Sequence, residues 1–163
     1  MTAASALPLL VAVPLALAGL TVVVRRHVVG VALLLTTLVG ALLAAGLLAR
    51  HHAEVPVLAA GVGGYLPGVA IPLVSDTLVA VMLGVTSLVT LATTVWLVLT
   101  GETRYRFFVP LVLLLMTGVY GALLTGDLFN LFVFVEVMLL PSYALIAVTG
   151  TWRRLGVGRL FVV

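Results

Sequence analysis

The stretch DLFNLFVFVEVMLLPSY, residues 127–143, decides the fold. Its side chains are almost all apolar, and with the apolar residues after it the stretch is long enough to cross a bilayer as one helix. Glu136 stands in its middle, nine residues after Asp127. At a helical rise of about 1.5 Å per residue, Glu136 lies about 13 Å deeper than Asp127, near the midplane of a hydrocarbon core about 30 Å thick.

A carboxyl group at that depth costs about 2.5 kcal/mol or more to insert, and such residues typically mark a proton or ion path. Apolar surroundings would favour the neutral acid, which could then change protonation state near neutral pH. Tyr143, on the same helical face, could donate a hydrogen bond to it. We therefore predict that Glu136 is a proton relay. The alternative is a permanently protonated acid bonded to a backbone carbonyl.

The composition requires lipid as the solvent. Of the 163 residues 64% are hydrophobic, the mean hydropathy is +1.39, and a soluble core of this size cannot hide so much apolar surface. The net charge of +3 does not indicate nucleic acid, because the arginines sit in short links between apolar runs. The chain has no cysteine, which excludes disulfides and thiolate metal sites. We expect no metal and no cofactor.

The apolar pattern predicts an all-α polytopic membrane protein in one membrane domain, residues 1–163. Five runs are long enough to span: 7–24, 28–49, 76–99, 107–124 and 127–148. A further run, 155–163, is read as a truncated sixth. The segment between the second and third runs, 53–74, is rich in Gly and Pro, so we expect a loop or small hairpin there, with LPGV at 66–69 as a turn.

The arginines predict the orientation. If the links alternate sides, one side carries Arg25, Arg26, Arg104, Arg106, Arg153, Arg154 and Arg159, and the other carries only Arg50. Positive-inside placement then puts the N-terminus and the 53–74 hairpin outside the cell membrane. The first run could also be a cleaved signal peptide. It lacks a positively charged start and continues to residue 24, so a retained span is predicted.

The secondary site candidates are Asp127, Asn130, Tyr143 and Pro141. Asp127 begins the fifth run, where an acid caps a helix, so a structural role is the simpler interpretation, and this applies more strongly to Asp76 at the start of the third run. Asn130 could hydrogen-bond within a helix bundle. Pro141 removes one backbone hydrogen bond and could loosen the helix and admit water near the acid, or could be an ordinary packing kink.

Three further patterns indicate packing more than chemistry. Adjacent His51 and His52, even with Glu54, match no established metal-ligand spacing. Small residues in the apolar runs favour close helix contact, namely Gly40, Gly46, Gly118 and Gly121. Threonines of the third run either bond to their own helix or line a polar path, namely Thr86, Thr90, Thr93 and Thr94.

TGDLFNLFVFVEVMLLPSYAL, residues 125–145, resembles the fifth transmembrane helix of the antiporter-like subunits. These occur in Mrp-type sodium/proton antiporters and in the membrane arm of respiratory complex I. The residues GDLFNLFVF and, after them, Glu136 are most similar to the D-type subunit of the Mrp antiporter. The resemblance implies that Glu136 is the essential fifth-helix glutamate, which pairs with a lysine on a later, broken helix. This chain has no lysine. Members of the family have about fourteen spans and this chain has five and a fraction, so the resemblance implies that it looks like the N-terminal third of such a protein.

The resemblance also implies partners and activity. The first hypothesis is a component of a multisubunit antiporter in the cell membrane that handles protons and Na⁺, an ion-transport component rather than an enzyme. The second is a proton-pumping component of a complex I-like or hydrogenase-linked complex, with the redox chemistry in other subunits. The third is a truncated membrane piece with a purely structural role and no transport.

Overall fold

The structure, a computed structural model, describes residues 3–24, 26–62 and 71–147. The described residues form five helices, α1 (Ala3–Val23), α2 (His27–His51), α3 (Thr77–Thr100), α4 (Phe108–Leu124) and α5 (Leu128–Ala147). Two strands, β1 (Val57–Gly61) and β2 (Pro72–Asp76), lie between α2 and α3, and a short 3-10 turn (Glu102–Arg104) precedes α4. The helices coincide with the predicted apolar runs.

Four of these helices, α1, α2, α3 and α5, are long and apolar enough to cross a membrane, which confirms a mostly helical, multi-pass chain. Helix α4 is apolar but has only 17 residues. It is therefore about 26 Å long, slightly shorter than a hydrocarbon core of about 30 Å. The predicted truncated sixth run, 155–163, lies outside the described residues.

Helix α4 is the centre of the bundle. It contacts each of the other four helices, most extensively α1 and α5, while α2 packs mainly on α3. Its buried side chains include Leu113, Met116, Tyr120 and Leu124. A helix that is apolar around its whole circumference is stable when other helices surround it, and this explains its central place.

Polar contacts show which links lie at the same end of the bundle. The His27 ring Nε2 lies 2.9 Å from the Thr103 carbonyl oxygen, which joins the α1–α2 link to the turn before α4. At the other end, the Gly126 amide donates to the Pro72 carbonyl over 2.9 Å, which joins the α4–α5 turn to β2. Successive links therefore alternate between the two ends, as the orientation predicted from the arginines requires.

The segment between α2 and α3 contains an antiparallel pair of strands, with Val57 opposite Asp76 and Gly61 opposite Pro72. The predicted turn at 66–69 lies outside the described residues. His52 anchors this pair to α2: its Nδ1 lies 2.9 Å from the Val55 carbonyl oxygen, and its Nε2 lies 2.9 Å from the Ser75 hydroxyl. The buried His52 ring thus serves the packing of the strands.

A polar pair inside the bundle joins α3 to α4. The Ser87 hydroxyl donates to the Leu83 carbonyl over 2.6 Å and lies 2.7 Å from the Tyr120 hydroxyl. Ser87 has one hydroxyl hydrogen, which the carbonyl takes, so Tyr120 is the donor to Ser87. Both side chains are fully buried.

This direction of donation predicts unequal effects for two substitutions that each remove one oxygen. Ser87→Ala leaves the buried Tyr120 hydroxyl without its acceptor, at a cost of about 1–3 kcal/mol in the free energy of unfolding. Tyr120→Phe leaves Ser87 still bonded to Leu83, so we expect a loss of about 1 kcal/mol or less. Thermal unfolding of the purified protein measures both, and a larger loss for Tyr120→Phe would contradict the assignment.

Candidate functional site

Helix α5, which carries Glu136, packs against two glycines of α4. A Cβ atom added to Gly118 would lie 2.8 Å from the Met138 amide nitrogen and 2.9 Å from the Phe134 carbonyl oxygen. A Cβ atom added to Gly121 would run into the Phe134 ring. Gly118 meets backbone atoms, so this position requires glycine and the backbones of α4 and α5 are in close contact there. At Gly121 the neighbour is a side-chain ring, which would have to move to admit a larger residue.

The prediction that glycines in the apolar runs allow close helix contact is wrong for Gly40 and Gly46. An added Cβ atom would meet nothing within 4 Å at either position. Gly40 lines an apolar groove of about 680 Å³ between α1 and α2. Both glycines are exposed, so they do not serve close helix contact among the described residues.

The packing of α5 against α4 determines which way the Glu136 side chain faces. Phe134 and Met138 face α4, and at about 100° per residue Glu136 lies about 200° around the helix from each. Glu136 is accordingly exposed, among strongly exposed apolar side chains. We define the outer face of α5 as Leu128, Phe129, Phe132, Val133, Glu136 and Leu140.

The described part of the chain therefore does not bury the Glu136 carboxyl group. Phe129 is 76% exposed and Phe132 is 60% exposed, so the flanking aromatic rings do not cover it. The predicted hydrogen bond from Tyr143 is absent among the described residues, because Tyr143 is half-buried about two turns away. Glu136 is the ninth of the 20 residues of α5, close to its middle.

Asp127 and Asn130 form a local network at the start of α5. The Asn130 backbone N–H donates to Asp127 Oδ2 over 2.8 Å, as expected when Asp127 is the N-cap residue. The Asn130 side chain donates to the Thr125 hydroxyl over 3.0 Å, so its hydrogen bond is local and does not cross the bundle. Asp76 caps α3 in the same way, accepting from the Val79 amide over 2.8 Å.

Pro141 does not break α5, which continues through it to Ala147, and its ring is buried. Proline lacks the amide hydrogen that would bond to the carbonyl four residues before it. The Val137 carbonyl therefore loses its donor within the helix, one residue after Glu136. The predicted loosening is thus limited to one freed acceptor beside the acid.

The threonines of α3 serve both predicted roles, because Thr90, Thr93 and Thr94 line one cavity of about 350 Å³ while two of the four bond to their own helix. Thr86 and Thr93 bond to the Met82 and Val89 carbonyl oxygens of their own helix, over 2.8 and 2.9 Å. The Thr90 hydroxyl points to the Met116 sulfur over 3.4 Å. The contacts that sequence patterns did not indicate join residues far apart in the chain, His27–Thr103, His52–Ser75 and Ser87–Tyr120. No local pattern signals such pairs.

The chain was compared with known proteins and structures. No protein-family model matches the chain. The D-type subunit of the Na⁺/H⁺ antiporter of Alkalihalophilus pseudofirmus is 49% identical over 65 residues, which cover 40% of this chain and 13% of the relative. The Bacillus subtilis protein of the same name is 54% identical over 52 residues, covering 31% of this chain and 10% of the relative.

A solved structure, that of the Mrp complex from Dietzia sp. DQ12-45-1b, contains a chain that matches 99% of this chain with a TM-score of 0.94 and 46% identity. The match covers 31% of that chain. The predicted resemblance to the D-type subunit of Mrp antiporters is confirmed. The chain spans about a third or less of the length of the proteins that it matches.

Proposed function

We propose that the chain is a membrane component of a multisubunit monovalent cation/proton antiporter, in which Glu136 takes up and releases a proton near the middle of the bilayer. The observation that carries the proposal is an acid in the centre of an exposed apolar helix face, on a fold shared with a chain of an Mrp complex. In this proposal all five helices span the cell membrane.

The exposure of Glu136 supports membership of a larger assembly. Lipid can cover the apolar residues of the outer face of α5, but a carboxyl group against lipid tails costs about 2.5 kcal/mol or more. Protein that approaches this face would remove that cost if it brings a cationic or hydrogen-bonding group. The relatives contain much more chain than this one, and such a group would come from there or from another protein of the complex.

The chemistry of a relay follows from the approach of that group. A cation within about 4–6 Å favours the ionised carboxylate, and its withdrawal in an apolar site favours the neutral acid. Alternation between the two arrangements makes Glu136 release and rebind a proton. Pro141 adds a freed carbonyl one residue away, which could orient a water molecule towards the acid.

The transport proposal is tested in the native host. Deletion of the gene should remove the collapse of a pH gradient that Na⁺ causes in everted membrane vesicles, and the wild-type gene should restore it. If K⁺ but not Na⁺ collapses the pH gradient in vesicles that carry the wild-type gene, the proposed cation is K⁺. If the deletion leaves the vesicles unchanged, or if the chain co-purifies only with redox subunits, the antiporter assignment is wrong.

A second prediction concerns sidedness. We place Arg26, Arg104 and Arg106 in the cytoplasm, and Arg50, the strand pair and the N-terminus outside. A single cysteine at Arg104→Cys should react with a membrane-impermeant maleimide only in everted vesicles, and a cysteine at Arg50→Cys only in intact cells. The chain has no native cysteine, so the background is low. The reverse labelling would overturn the orientation.

A further inference from the structure

A cluster of basic side chains lines a cavity at the end of the bundle where α1 ends and α4 begins. The cavity measures about 260 Å³, and among the described residues its lining includes Arg26, His27, Arg104 and Arg106 but no Asp or Glu. The three arginines are exposed. The Arg106 guanidinium lies 5.0 Å from the centre of the Phe107 ring, a cation–π distance that holds it at the rim. We name this cavity the basic pocket.

The basic pocket adjoins an apolar groove between α1 and α4. This groove measures about 580 Å³, and it shares Val22, Phe107 and Pro110 with the basic pocket. The remaining wall of the groove is formed by Leu15, Ala18, Gly19, Leu111, Leu114 and Ala144. We name it the tail groove.

The tail groove leads away from the charged end towards the middle of the bundle. On α1 it runs from Val22 back to Leu15, and along α4 from Phe107, the residue before this helix, to Leu114. Each wall covers eight residues, or about 10 Å along the helix. The basic pocket is therefore a charged mouth that adjoins an apolar groove running along both helices.

We propose that this composite site binds an anionic phospholipid, with its phosphate in the basic pocket and one acyl chain in the tail groove. Arginine binds phosphate oxygens through paired N–H donors, and basic pockets between membrane helices accept anionic lipid head groups. Exposed Tyr105 and Phe107 flank the mouth, where aromatic side chains prefer the membrane interface. The groove distinguishes a lipid from free phosphate, which has no apolar part. The proposal does not depend on the role of Glu136.

The test uses the complete complex in phosphatidylcholine nanodiscs that contain a photoactivatable phosphatidylglycerol with its reactive group on the acyl chain. We expect cross-links within residues 15–22 and 107–114. The double variant R104Q/R106Q should reduce the affinity for the phosphatidylglycerol probe, measured from the cross-linking yield against probe content, about thirtyfold. This is the usual contribution of two arginines near a membrane surface. Arg50→Gln removes an arginine at the opposite end and should leave the yield unchanged.

A second variant changes the groove and no charge. A Cβ atom at Gly19 would meet nothing within 4 Å, so Gly19→Leu fills the tail groove without a backbone clash. It should abolish most of the cross-linking, while Gly40→Leu, which fills the separate α1–α2 groove, should not. Equal labelling by a phosphatidylcholine probe, full competition by inorganic phosphate, insensitivity to Gly19→Leu, or cross-links that show a partner helix in the groove would each overturn the proposal.

Discussion

Glu136→Gln is expected to abolish proton-coupled Na⁺ efflux by the complete complex. Glutamine has nearly the same shape as glutamate, but it cannot ionise, so it keeps the packing and loses the proton exchange. Positioned proton-transfer groups typically contribute about 100-fold or more to a rate, and the loss should be at least of that size. Fluorescence recovery of a pH-sensitive dye in everted vesicles after Na⁺ addition measures it.

Assembly should survive this substitution, because Glu136 points away from the close contact between α4 and α5. That contact is made by Gly118, Gly121, Phe134 and Met138. The abundance and size of the complex on a native gel should therefore match the wild type. A result in which the complex itself is lost would assign Glu136 to packing against a partner instead of to proton transfer.

Glu102→Gln is the matched control. Glu102 is also an exposed glutamate, but it lies in the turn before α4, at an end of the bundle. The same chemical change there should leave efflux within about twofold of wild type, since surface charges at links contribute little. Normal efflux by Glu136→Gln would rule out the relay role whatever the control shows.

The helices were predictable from sequence because long apolar runs are separated by short polar links, and for α3 and α5 the first boundary is also marked by a capping acid. The third run was predicted at 76–99, and α3 is Thr77–Thr100, with Asp76 as its N-cap and Gly101 in the left-handed conformation after it. The fifth run behaves in the same way, with its cap at Asp127. These signals are local, so one sequence contains them.

The environment of each site residue was not predictable to the same extent. Gly40 and Gly118 each sit inside an apolar helix, yet one borders a groove and the other touches a backbone. Glu136 lies near the middle of α5 as predicted, but the structure leaves it exposed, because burial depends on which helices surround α5. The burial of His52 likewise depends on Ser75, 23 residues further along the chain. These properties arise from tertiary packing.

Gly118→Ala is expected to destabilise the chain and to displace the helix that carries Glu136. The added methyl group would lie 2.8 Å from the Met138 amide nitrogen and 2.9 Å from the Phe134 carbonyl oxygen. These are backbone atoms, which no side-chain rotation can move aside, so α5 itself has to shift. Overpacking of this kind costs about 1–3 kcal/mol, and a displacement near 1 Å at a reacting group can reduce a rate about 100-fold.

Gly40→Ala separates this clash from the general effect of replacing glycine in a helix. Alanine lowers the conformational entropy of the unfolded chain and gains about 0.5–1 kcal/mol in a helix interior. Gly40 has open space around it, so its variant should keep efflux and unfold at the same temperature as wild type or slightly higher. Gly118→Ala should unfold at a lower temperature and lose most efflux. Equal stability and activity of the two variants would show that α4 and α5 are not in close contact at Gly118, and that this glycine does not position Glu136.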